Sequence, residues 1–196
     1  VVVVYGSDET VGALRVRAPV TARFVAHHHR VSVGLVGREA LVAARVDAVA
    51  ADVARAVALF DRRGCVSPQL LWIEEGGEIG PGGFAERLAR ALSELEERLP
   101  SGPLERAEAS ALEQARATAE LLEGAGALAV RHGGRSPWTV VLTPARPDDD
   151  LPALSGPGRF VRLSPVGDLA DVPGLLASLG AHLQTVGGAG RGEDRK

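Results

Sequence analysis

The chain has 196 residues, 45% of them hydrophobic, and a formal net charge of −3. That composition supplies a sizeable core and excludes a nucleic-acid or membrane-surface role resting on bulk charge. No apolar run reaches the roughly 18 residues a membrane helix needs, and no signal peptide is visible. The one cysteine, Cys65, cannot close an internal disulfide, which fits a reducing, cytoplasmic compartment.

Val1 to Tyr5 is a β-branched run, read as a strand covered on both faces. Gly6 and Ser7 break it, and "DETVGALR" opens a helix with Ser7 or Asp8 as N-cap. "TARFVA" and "RVSVGLV" are short strands around the "HHHR" run, and Gly37 closes the second. Arg38 to Arg63 is predicted as one helix, with Leu41, Val42, Val46, Val49, Val53, Val57 and Phe60 as its apolar stripe and Gly64 as its stop. "QLLWIEE" is a strand and "GGEIGPGG" a loop. Two helices follow, Phe84 to Leu99 and Leu104 to Glu123, the latter with an exposed charged face.

In the last third, "ALAVRH" and "WTVVLTP" are strands joined at "GGRSP". "ARPDDDLPALSGPG" is a surface loop, its "PDDDLP" a solvated segment rather than a cation site. "RFVRLSPV" is a strand, "DLADVPGLLASLG" a broken helix, "HLQTVG" a final strand, and residues 188–196 a disordered tail. Strands separated by helices predict an α/β fold with a mostly parallel, twisted sheet flanked by helices.

Cys65 has two readings. A lone free cysteine is commonly a small buried apolar residue. This one sits on a Gly-Cys-Val-Ser-Pro turn past a helix, a place where a rigid scaffold carries reactive groups. Arg62 and Arg63 could lower its pKa, and the negative helix end would oppose them. Gly6 and Ser7 have two readings as well: a plain strand-to-helix turn, or a turn where a dinucleotide phosphate approaches a helix N-terminus. On a strand only His27 and His29 could share a side. They lack a cysteine or acidic partner at ligand spacing, so no metal site is assigned. Proton transfer or substrate contact by His27 or His29 stays open beside a purely structural role.

"VVVVYGSDETVGAL", "AHHHRVSVGLV", "ALFDRRGCVSPQLLWIEE" and "RLSPVGDL…HLQTVG", in that order, resemble the acyl-CoA reductases related to the fatty-acid reductase component of bacterial bioluminescence, within the aldehyde dehydrogenase superfamily. The order and separation of these stretches carry the likeness, with Cys65 58 positions after Ser7. The resemblance implies an aldehyde dehydrogenase-like catalytic domain over residues 18–187, preceded at 1–17 by the end of a nucleotide-binding domain whose remainder lies upstream of Val1. It implies Cys65 as nucleophile and Gly6 and Ser7 as cofactor-binding residues. The cofactor is NADPH or NADH, and the substrate is an acyl-CoA or other acyl thioester, reduced to an aldehyde through an acyl-cysteine. Homo-oligomerisation is expected by analogy. The segment alone is expected to be inactive and to bind dinucleotide poorly.

Aldehyde dehydrogenases that hydrolyse their acyl-enzyme carry a glutamate base upstream of the cysteine. Here no carboxylate lies between Glu9 and Glu39, which favours thioester chemistry. The competing readings are a cofactor-independent cysteine hydrolase or acyltransferase, and a non-catalytic α/β module with Cys65 in its core.

Overall fold

A computed structural model describes residues 1–28, 30–144, 154–177 and 179–190. Its first unit is β1 (Val2–Gly6), α1 (Asp8–Arg17) and β2 (Phe24–His28). β1 and β2 pair in parallel, with Gly6 opposite His28. Ser7 caps α1 by accepting from Thr10 N at 3.2 Å. Asp8 and Glu9 stand in the first turn, Arg15 and Arg17 in the last, so both signs complement the helix dipole.

This unit corrects two readings. β1 is not covered on both faces within this chain: Val4 is buried, but Val3 and Tyr5 are 52% and 75% exposed. The strand has a single partner, and α1 buries only Val11. The boundary placed after Arg17 also moves. β2 hydrogen-bonds to β1, so the first unit runs through His28.

The larger sheet contains β3 (Val31–Val36), β4 (Pro68–Glu74), β5 (Ala129–His132), β6 (Trp138–Leu142), β7 (Arg159–Val166) and β8 (Leu183–Ala189). Its order is β5-β6-β7-β4-β3-β8, with every neighbouring pair parallel except the β5–β6 hairpin. Alternation along the strands separates two faces. One, with Val36, Leu71, Ile73, Val140, Val161 and Leu163, packs on α2 (Val46–Ala58) and α3 (Pro81–Arg98). Phe84, Leu88 and Leu92 of α3 are fully buried there, each contributing roughly 1.5–3 kcal/mol by leaving water. On the other face α4 (Arg106–Gly124) meets Val130, Val141 and Phe160, while Val172 of α5 (Val172–Leu176) packs with Val33, Leu70 and Trp72.

The long helix predicted from Arg38 to Arg63 is shorter. A single 3-10 turn covers Arg38–Ala40, α2 begins at Val46, and it ends at Ala58. Phe60, assigned to the apolar stripe, is 76% exposed. α3 starts one turn earlier than predicted, because Pro81 suits the first helical position. β8 extends through Gly188 and Ala189, which pair with Leu35 and Val36, so the tail reading fails for those two residues. The "PDDDLP" segment and residues 191–196 lie outside the described residues.

Candidate active site

Cys65 is exposed. It occupies a tight turn in which Ser67 N donates to Gly64 O at 3.0 Å, immediately before β4 enters the centre of the sheet. The turn is held from β3, where Ser32 Oγ, 1% exposed, donates to Cys65 O at 2.5 Å. The hydroxyl of Ser67 donates to Leu59 O at 3.3 Å. Among the described residues no acceptor takes the Cys65 N–H, so it is available to an incoming oxygen. A cavity of about 250 Å³ adjoins the turn, lined by Val66 and Pro68 and by Val49 and Val53 of α2.

The segment leading into this turn is unusual. Phe60, Asp61 and Arg62 have φ of 56°, 49° and 60°. Three successive non-glycine residues in the left-handed region cost roughly 1–2 kcal/mol each, so the surroundings must over-determine them. They do. Asp61 Oδ1 accepts from Arg159 Nε at 2.9 Å, and Asp61 Oδ2 accepts from Gly102 N at 2.9 Å. Arg159, 1% exposed, also donates to Glu96 Oε2 at 2.7 Å. Arg62 donates to the carbonyls of Gly158 and Gly156, and burial pushes its guanidinium down to about 10. Gly64 is therefore not what ends the helix; tertiary partners of Asp61 and Arg62 do that. The arginines expected to act on the thiol are engaged elsewhere, Arg62 as above and Arg63 with Glu108 at 2.8 Å.

The Gly6–Ser7 bend belongs to the separate β1–β2 pair. β8, β3, β4 and β7 run parallel, so the turns carrying Cys65 before β4 and His182 before β8 lie at the same end of the strands. His28 ends β2 and Val31 starts β3, a step of at most roughly 11 Å. Gly6 lies opposite His28, and His182 Nε2 stands 3.9 Å from Asp8 Oδ2, tying the start of α1 to the start of β8.

His27 is exposed, its ring stacked on Tyr5 with centroids 4.5 Å apart. His29 lies outside the described residues. The histidine that strand parity passed over, His28, makes the close polar contact, Nδ1 to Asp8 Oδ1 at 2.6 Å. Among the described residues no three His, Cys, Asp or Glu side chains converge on a metal-sized site. Asp61, Glu96 and Ser32 also escaped sequence reasoning. Arg159 carried a weak signal, a charge at a core-facing position of an apolar strand.

A dinucleotide fits the Gly6–Ser7 bend in part. A Cβ at Gly6 would stand 3.1 Å from Thr10 Cγ2, so the close turn needs glycine unless Thr10 gives way. The Ser7 hydroxyl is committed to its cap. Asp8 and Glu9 in the first turn would repel a phosphate.

The mostly parallel sheet between helices is an α/β arrangement whose fold is similar to that of solved aldehyde dehydrogenases. Similar solved structures include the NAD-dependent aldehyde dehydrogenase from Burkholderia multivorans (TM-score 0.66, 14% identity, 99% of this chain and 37% of that one) and a mutant of the P. syringae AldA indole-3-acetaldehyde dehydrogenase in complex with NAD+ and IAA (0.65, 13%, 99% and 45%). Another is the NADP-dependent glyceraldehyde-3-phosphate dehydrogenase from Bacillus halodurans C-125 complexed with NADP (0.60, 14%, 99% and 45%). The acyl-CoA reductase (LuxC) family matches residues 1–196, and the chain belongs to it. It spans less than half the length of those dehydrogenases. No curated protein matches the sequence.

Proposed function

We propose that this chain supplies the nucleophile and its setting for NADPH- or NADH-dependent reduction of an acyl-CoA, or another acyl thioester, to an aldehyde. The observation that carries the reading is the exposed Cys65 on a turn braced by Ser32. Family membership and dehydrogenase neighbours with bound NAD+ or NADP support the reaction class and a nicotinamide cofactor. Gly6 and Ser7 are the residues here that would border that cofactor.

The Cys65 thiolate attacks the thioester carbonyl and the CoA thiolate leaves, giving an acyl-cysteine. The free Cys65 N–H donates to the oxyanion as it forms. A bound reduced nicotinamide supplies the hydride. The resulting thiohemiacetal takes a proton, collapses to aldehyde and returns the thiol. His27, exposed and braced by Tyr5, is assigned to substrate contact, and the apolar walls beside Val66 and Pro68 to the acyl tail. No helix is long and apolar enough to cross a membrane among the described residues; cytoplasmic placement rests on the lone cysteine.

The test is to incubate the intact protein with an acyl-CoA, follow NADPH absorbance and look for an acyl adduct by mass spectrometry. Cys65→Ala should lose both signals while keeping its fold. An adduct surviving in that variant would refute the nucleophile, and turnover without NADPH or NADH would refute the reductase.

A further inference from the structure

Three arginines are buried in the large sheet's environment, and they differ in one respect. Arg159 is paired with Asp61 and Glu96. Arg116 of α4 donates to Thr139 Oγ1 and to the carbonyls of Gly134, Ser136 and Trp138. Arg162, 3% exposed, has Nε, Nη1 and Nη2 all without a partner among the described residues. A buried guanidinium with no acceptor is among the costliest arrangements a fold can hold, so an acceptor is called for. Burial pushes its pKa down to about 10.

Arg162 lines a cavity of about 220 Å³ whose other walls are chiefly Val31, Val33, Leu70, Leu154, Phe160 and Leu179. The cavity lies between the α4-covered and α5-covered parts of one sheet face. Among the described residues only Gln69 and Ser155 add further polar side chains, and Cys65 does not line it. Two more unpartnered donors, Trp72 Nε1 and Ser164 Oγ, belong to the same face, with Trp72 opposite Ser164 and Leu70 opposite Arg162 in register.

The geometry points to a binding site for a monocarboxylate with a short alkyl chain, its carboxylate on Arg162 and its chain among the apolar walls. The planar guanidinium presents a fork matched to a carboxylate. A single cation in an apolar setting suits one negative charge better than a phosphate dianion. Scaled from benzene in a cavity of about 150 Å³, this space takes roughly eight or nine heavy atoms, the size of hexanoate.

The experiment titrates sodium hexanoate into the intact protein by calorimetry, with tryptophan fluorescence as a second readout because Trp72 is nearby. Acetate, inorganic phosphate and neutral hexanamide are compared, and the titration is repeated on Arg162→Met and Cys65→Ala. Saturable hexanoate binding is expected, at least tenfold weaker for hexanamide, acetate and phosphate, at least tenfold weaker in Arg162→Met, and unchanged in Cys65→Ala. The hexanamide comparison needs no variant, so misfolding of Arg162→Met leaves the idea testable. Hexanamide binding as well as hexanoate, or undiminished binding to folded Arg162→Met, overturns it. So does no saturable binding to the wild type. Loss of binding in Cys65→Ala would move the ligand to the thiol and also overturn the site.

Discussion

Arg159 Nε stands 2.9 Å from Asp61 Oδ1, joining the first residue of β7 to the middle of the left-handed turn that leads to Cys65. The other arm of the same guanidinium holds Glu96 of α3. Removing a fully buried cation from two carboxylates leaves both uncompensated, so Arg159→Met should destabilise the protein by about 3–5 kcal/mol. Chemical denaturation measures this. A loss under about 1 kcal/mol would mean that solvent already supports Asp61 and Glu96.

The backbone of that turn makes an opposite prediction. Phe60 is 76% exposed and has φ of 56°, so its side chain contributes little burial while its Cβ opposes the conformation. Phe60→Gly should raise stability by about 0.5–1 kcal/mol, the left-handed penalty less the extra chain entropy of glycine. A lower Tm would show that the Phe60 ring, whose Cδ2 lies 3.5 Å from a Cβ built at Gly64, braces the turn after all.

Ser32 is the brace from β3. Ser32→Ala removes the donor to Cys65 O and should cost about 1 kcal/mol. Its sharper consequence is positional: kcat of the intact enzyme should fall with KM little changed, because the hydroxyl touches the turn and not the substrate. Equal kcat in the two proteins would remove Ser32 from the site.

Glu74 at the end of β4 makes a pH prediction. Its carboxylate accepts from Arg38 Nη2 at 2.7 Å and Arg38 N at 2.8 Å, and these bonds hold its pKa at about 2 against an ordinary 4.5. That shift corresponds to roughly 3 kcal/mol, screened to about 2 because Arg38 is half exposed. The folded pKa is the lower one, so the stability is present above pH 4.5 and is lost as pH falls from there toward 2. Glu74→Gln should lose it at pH 7 and flatten the wild type's acid decline in Tm. A parallel decline in both proteins would place the acid sensitivity elsewhere.

Much of the fold was legible because its signals are local. Short apolar and β-branched runs bounded by turn residues marked the eight described strands, and helical spacing marked α3 and α4. The long alanine-rich helix was misjudged at both ends, since Leu59 to Arg62 offer no breaker that composition reveals. Their left-handed path follows from Asp61 reaching Arg159, 98 residues later. Of the site, the Cys65 turn and the Ser7 cap could be read; the choice of His28 over His27 as the bonded imidazole could not, because Asp8 lies 20 residues back.

By itself the sequence determined which segments form strands, helices and turns, that one thiol stands on a glycine–proline-framed turn, and that no carboxylate lies between Glu9 and Glu39. Tertiary structure alone decided that β2 joins β1, that Ser32 of β3 braces the Cys65 turn, and that Arg159 is paired while, among the described residues, Arg162 is not. The reason is physical. Periodicity records which side of an element avoids water, but two arginines three residues apart on one strand point to opposite faces, and only the packed neighbours of each face determine what they meet.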